Sequence, residues 1–131
     1  MSTISEFNSA SNAETDREHE VQIGLLQALC GAAAENRDAA SVAEILDQLI
    51  AYSEAHFMSE ELLMRLKSYD DYEDHDDDHI HMLDVLREIA TDHAAGNSTL
   101  VSDKAAGVLK FITNHIDTRD RRFADYVRNG L

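Results

Sequence analysis

The chain of 131 residues has no proline, no tryptophan, a single cysteine and only five glycines. With so few breakers, little in it interrupts a long helix. One cysteine, Cys30, excludes an internal disulfide and any zinc site built on CxxC pairs, and it suits a reducing, cytoplasmic setting. Positive charge is scarce as well. Only 11 Lys and Arg stand against 26 Asp and Glu, a formal net charge of −15 that repels a phosphate backbone and excludes nucleic acid as a partner. Apolar runs are a few residues long, so none can span a membrane, and residues 1–18 lack the basic and apolar blocks of a secretory signal. What the sequence does hold is seven histidines in a strongly acidic chain.

Apolar spacing is helical nearly throughout, and strand alternation is nowhere sustained. Four helices are expected, at about 13–36, 42–67, 71–94 and 99–128, with Ser41 and Glu44 spaced as a capping box and Gly96-Asn97-Ser98 as a turn. Long helices with short connections favour an all-α, antiparallel up-down four-helix bundle. Residues 1–12, rich in Ser and Asn, are expected as an N-terminal arm before a domain at 13–131.

Each apolar stripe is interrupted by histidine. The first carries His19 with Ile23, Leu26 and Cys30; the second Ile45, Leu49, Tyr52, His56, Glu60 and Leu63. The third carries Tyr72, His75, His79, Met82, Leu86 and Ala90, and the fourth Val101, Ala105, Val108, Ile112 and His115. A lone histidine on an apolar face is usually a hydrogen-bonded core residue. Four stripes each broken by one are harder to satisfy, because every buried imidazole needs partners for two nitrogens. A shared metal takes one nitrogen from each ring.

The spacing agrees. His56 and Glu60 are four apart, about 40° around a helix and one turn along, and His75 and His79 repeat this. With His19, His115 and Asp120 they give five imidazoles and two carboxylates from four helices. Such donors suit iron, manganese or zinc rather than copper(I). They are too many for one ion and fit two ions bridged by the carboxylates, with one position left open in an apolar pocket. One spacing is irregular: His115 and Asp120 are five apart, about 140° around a regular helix. A local π-type widening is expected there.

These residues resemble the hemerythrins, most closely the single-domain bacterial hemerythrins and hemerythrin-like domains. Asp16-Arg17-Glu18-His19 is similar to the D-x-Q-H signature of the first helix, with Glu for Gln. His56-Phe57-Met58-Ser59-Glu60-Glu61 matches H-F-x-x-E-E, and Tyr69 with His75 and His79 matches Y-P-x4-H-x3-H with Asp70 for the proline. His115-Ile116 with Asp120 matches H-I-x3-D. The resemblance implies two non-heme iron ions, one held by His75, His79 and His115, the other by His19 and His56. Glu60, Asp120 and an oxo or hydroxo group would bridge them. It further implies that dioxygen binds reversibly at the iron of His19 and His56, is reduced to the peroxide level and takes a proton from the bridge. Phe57, Phe111, Ile112 and Ile116 stand where the family lines its oxygen pocket, and Ile23 is placed with them.

Three departures stand out. Phe111 replaces a tryptophan, no tryptophan occurs near the start, and Gln22 occupies a position that is normally bulky and apolar. Gln22 either faces the pocket, where it hydrogen-bonds a ligand or admits water, or lies at the surface after a slight helix rotation. His81 and His93 are set aside as solvent-facing and helix-terminal. Cys30, Met58, Met64 and Met82 are read as packing, and the seven acids among residues 70–78 as a solvated helix start rather than a calcium loop.

The function expected is reversible dioxygen binding by a cytoplasmic, bacterial-type protein, as carrier, store or oxygen sensor, and not an enzyme. If the chain is an excised input domain, a signalling output domain is its further partner. The alternatives are a di-iron, peroxide- or nitric-oxide-reactive bundle, and a structural or zinc-binding bundle. Ferritin-like oxidases use E-x-x-H elements. The residues three before each histidine here are Asp16, Ser53, Tyr72, Asp76, Asp78, Ala90 and Ile112, so none is present.

Overall fold

The structure is a computed structural model that describes residues 3–35 and 38–129, with side chains described from Arg17 onward apart from residues 36 and 37. Its elements are α1 (Thr3–Ala34), α2 (Ala39–Leu66), α3 (Tyr72–Ala94), α4 (Ser98–His115), a π turn (Ile116–Asp120) and α5 (Arg121–Arg128). Short connections at 67–71 and 95–97 join α2 to α3 and α3 to α4. α1 packs on α2 and α4, and α3 packs on the same two, which closes a four-helix bundle with α4, the π turn and α5 as its last leg. Among the described residues there is no strand, and no helix is long and apolar enough to cross a membrane.

The helices lie close to their expected positions, with differences at the ends. α1 begins at Thr3, so its backbone includes part of the stretch expected as an arm. Met1, Ser2 and the side chain of Asp16 lie outside the described residues. α2 starts earlier than the Ser41–Glu44 spacing suggested. Its N-cap is Asp38, whose carboxylate accepts from the Ser41 amide at 2.7 Å. This contact satisfies one of the unpaired N–H groups of the first turn and draws the carboxyl below its usual range. At the α3–α4 corner Gly96 sits at φ +79, a left-handed value that suits glycine at the end of a helix.

The core is layered. Leu26 and Leu29 of α1, Leu46 and Leu49 of α2, Leu86 and Ile89 of α3, and Val108 and Ile112 of α4 belong to one large apolar cluster. At the other end Met64, Tyr69, Phe123 and Val127 make a smaller, aromatic one. Between them lies a belt of buried polar side chains that contains His19, His56, Glu60, His75, His79, His115 and Asp120. Met64 and Met82 pack in the core as expected, but Met58 is 70% exposed. It lies outside the arc of α2 that holds Ser53, Phe57, Glu60 and Met64. Cys30 is half-buried and packs against the apolar cluster instead of lying within it.

The expected irregularity in the last leg is present. Buried residues recur at 101, 105, 108, 112 and 115, then skip to 120, 123 and 127. The single five-residue step coincides with the π turn, whose i→i+5 bonding takes up the extra residue. Without it, Asp120 would point about 140° away from His115.

Truncation should follow the layers. Leu86→Ala, at a fully buried position of the large cluster, is expected to cost about 2–5 kcal/mol in urea unfolding. Leu66→Ala, at an exposed position, should change stability by no more than about 0.5 kcal/mol.

Candidate metal centre

All seven residues expected as ligands converge on the polar belt. His19 comes from α1, His56 and Glu60 from α2, His75 and His79 from α3, His115 from the end of α4 and Asp120 from the π turn. The two carboxylates lie between two sets of imidazoles and divide their oxygens. Glu60 Oε1 is 2.6 Å from His75 Nε2 and 3.1 Å from His79 Nε2, whereas its Oε2 faces His56 Nε2 at 3.5 Å and His19 Nε2 at 3.9 Å. Asp120 Oδ1 is 2.8 Å from His75 Nε2 and 3.0 Å from His115 Nε2, and its Oδ2 is 2.9 Å from His19 Nε2. Among the described residues three groups of donor atoms are close enough to hold an ion: Glu60, His75, His79, His115 and Asp120; His19, His56 and Glu60; and, less buried, Glu61, Asp76 and His79, whose His79 already belongs to the first.

The electrostatics show how unusual this belt is for a core. Burial by itself pushes both carboxyls up, but the surrounding imidazoles outweigh it and hold Glu60 and Asp120 well below their usual range. Burial likewise pushes the imidazoles down, yet the contacts with Asp120 and Glu60 raise His19 to about 10 and His75 to about 9. His115 is raised for the same reason, chiefly by Asp120. Even so, Nε2 of His19, His56, His79 and His115 and Oδ1 of Asp120 make no well-directed hydrogen bond. Buried imidazoles whose inner nitrogens lack partners, around two ionised carboxylates, fit a site for metal cations.

A family model described as the hemerythrin HHE cation binding domain matches residues 11–127. The chain belongs to the hemerythrin family. Among its relatives is the bacteriohemerythrin of Pseudomonas paraeruginosa, 27% identical over 117 residues, which cover 88% of this chain and 74% of that protein. The bacteriohemerythrin of Methylococcus capsulatus is 28% identical over 108 residues, 82% of each chain. That of Ralstonia nicotianae is 26% identical over 116 residues, 88% of this chain and 81% of the relative. No solved structure matches at a comparable level of significance.

Beyond the residues read from hemerythrin motifs, the structure adds a set of carboxylates behind the imidazoles. His115 Nδ1 donates to Asp78 Oδ2 at 2.9 Å, and His79 Nδ1 donates to Glu61 Oε2 at 3.1 Å. Glu18 Oε2 lies 3.5 Å from His56 Nδ1, so the Glu that replaces Gln in the first-helix signature faces the site. An outer carboxylate fixes the ring and turns its other nitrogen inward as a ligand. Arg119, one residue before Asp120 in the π turn, donates to the same Asp78 oxygen at 2.7 Å and to Asp71 at 3.2 Å. Asp71 and Asp78 are therefore not merely solvated, contrary to the reading of the acidic run. The run's density hid them, since nothing in nine crowded residues marks which acid faces inward. For Glu61 a signal was present in the Glu60-Glu61 pair of the motif.

The residues expected around a ligand pocket separate. Phe57 is buried and stacks on His79, with centroids 4.0 Å apart. Ile112 is buried, Ile116 and Phe111 pack against the large cluster from partly buried positions, and Ile23 is half-buried. Gln22 is fully buried, so the surface reading fails, and its amide donates to Ser53 Oγ at 3.0 Å. Ser53 had drawn no attention as a site residue, although it lies three before His56, on the same stripe. His81 is exposed beside Phe111, and the His93 ring bonds the Ala39 carbonyl at 2.9 Å, tying the end of α3 to the start of α2.

Two outcomes are expected. Asp78→Asn should weaken metal binding about 10- to 100-fold in a competition titration, while the same change at exposed Asp77 leaves it within about twofold. Metal-stripped protein should be most stable between the ordinary carboxyl and imidazole values, 3.8–4.5 and 6.5. The stabilisation from the raised imidazoles is full below 6.5 and is lost as pH rises toward about 9–10; that from the lowered carboxyls is lost as pH falls below about 4. The urea midpoint should therefore be lower at pH 9 than at pH 6, and an equal or higher midpoint at pH 9 would contradict the scheme.

Proposed function

We propose that this hemerythrin-family chain is a non-heme di-iron protein that binds dioxygen reversibly in a reducing, cytoplasmic setting, as a carrier, a store or the input domain of an oxygen or redox sensor. The division of the carboxylate oxygens carries this reading: each carboxylate offers one oxygen to the three-histidine side and the other to the two-histidine side. His75, His79 and His115 would hold one iron and His19 and His56 the other, with Glu60 and Asp120 bridging. When bound, the pair of irons supplies electrons to dioxygen and takes them back as it leaves.

The chain's own residues do the rest. Asp78 and Glu61 hold the Nδ1 protons of His115 and His79, so those rings keep Nε2 directed inward. Phe57, stacked on His79, and Ile112 present apolar surface that excludes water from the belt. Fewer protein donors surround His19 and His56 than surround the three-histidine side, and that asymmetry leaves room for a small ligand there. Two features favour binding over turnover: a donor set rich in imidazole, and the lack of any E-x-x-H element of the kind di-iron oxidases use.

Aerobic optical spectroscopy of iron-loaded protein tests the reading. Two irons should bind per chain, with visible absorption that falls away on deoxygenation and returns when oxygen is readmitted. Two bound irons without any oxygen-dependent absorption would overturn it.

A further inference from the structure

Gln22 and Ser53 stand where the polar belt meets the large apolar cluster. Gln22 follows His19 by three residues and precedes Leu26 by four; Ser53 precedes His56 by three and follows Leu49 by four. All six of these side chains are buried, and Gln22 and Ser53 are fully enclosed. The amide donates to the hydroxyl at 3.0 Å, and the other end of the amide, Oε1, is buried without any partner. Turning the amide over would let Ser53 donate to Oε1 but would leave both N–H groups uncommitted. In either orientation at least one amide N–H has no protein acceptor, within a layer whose next side chains are leucines. A polar pair left incomplete in this way is costly and persists in cores chiefly where something else completes it.

We propose that Gln22 and Ser53 form a hydrogen-bonding subsite for the free end of a small acceptor ligand, of the size of azide or dioxygen, held beside His19 and His56. The proposal rests on the metal reading above only in that an ion is needed to hold the near end of the ligand. Gln22 supplies the N–H, and Ser53 orients the amide. The far end of the ligand would thus meet a polar wall, which favours ligands that carry negative charge at their far atom over neutral ones of the same size.

Azide is the probe. In ferric, iron-loaded protein, Gln22→Leu should weaken azide about tenfold, since hydrogen bonds to charged acceptors are the stronger ones, and Ser53→Ala about threefold. The azide stretching frequency should shift in both variants. In metal-stripped protein Gln22→Leu should raise the melting temperature by a few degrees, because it removes an unmet polar group from an apolar layer. Unchanged azide affinity and frequency in both variants, as expected if only an ordered water completes the pair, would overturn the subsite while leaving the metal centre in place. A lower melting temperature for metal-stripped Gln22→Leu would overturn it as well, showing the pair to be a structural hydrogen bond. Iron-loaded wild type with no azide-sensitive absorption would instead overturn the metal reading.

Discussion

Two carboxylates, Glu60 and Asp120, are buried together in the middle of a helical bundle, and the arrangement around them follows from that. Each is ionised only because imidazoles crowd its oxygens, and the closest of these contacts lie at 2.6–2.9 Å. Bringing one carboxylate into a core without such partners would push its pKa up and neutralise it. His19, His75 and His115 supply the compensation as protonated rings, or would do so as ligands to cations that replace those protons. The belt is thus designed around positive charge that the protein itself does not permanently carry. Affinity for metal and pH-dependent stability of the metal-stripped chain are two expressions of this one deficit.

The π turn is the backbone counterpart of that electrostatic requirement. An unbroken helix would present His115 or Asp120 to the belt, not both. Inserting one residue's worth of rotation brings them to the same face, with Asp120 Oδ1 3.0 Å from His115 Nε2. The same turn sets Arg119 against Asp78 and Asp71, so the irregular segment is clamped to α3 by ion pairs. The acid held by Arg119 is also the one that orients His115. One local distortion therefore places a carboxylate in the belt and braces a neighbouring imidazole.

Much of this was legible from spacing alone, and the reason is physical. Side chains four apart on one helix, as with His56 and Glu60 or His75 and His79, share a face whatever the rest of the fold does. The five-residue step between His115 and Asp120 was informative because it violated that rule. Contacts between helices are another matter, since they depend on how far each helix is rotated and at what level it crosses its neighbour. Gln22 could be assigned to either side by its own helix; only its meeting with Ser53, 31 residues away, decides. The same holds for Asp78, 37 residues from the ring it orients, and for Met58, which the hydrophobic pattern alone could not keep out of the core. Asp38 displaced the expected cap because two good caps stood three residues apart, and propensity does not rank them.

The two ends of the belt are not equivalent, and the difference has a direction. The three-histidine side is closed by the aromatic cluster: Tyr69 and Phe123 set ring edges against His75 at 6.5 and 6.3 Å, and Tyr126 bonds the Lys67 carbonyl across the corner. The large cluster meets the belt on both sides, through Phe57 stacked on His79 and, beside His19 and His56, through Gln22 and Ser53. Aliphatic layers repack around a small guest more readily than stacked rings pinned by hydrogen bonds. Donor atoms are fewer beside His19 and His56, where no aromatic lid of this kind is seen among the described residues, and this supports the proposed place for a small ligand. The net charge of −15 is silent on this point, because most of it is spread over the surface. The acids that matter are the two inside the belt and the few that stand behind its histidines.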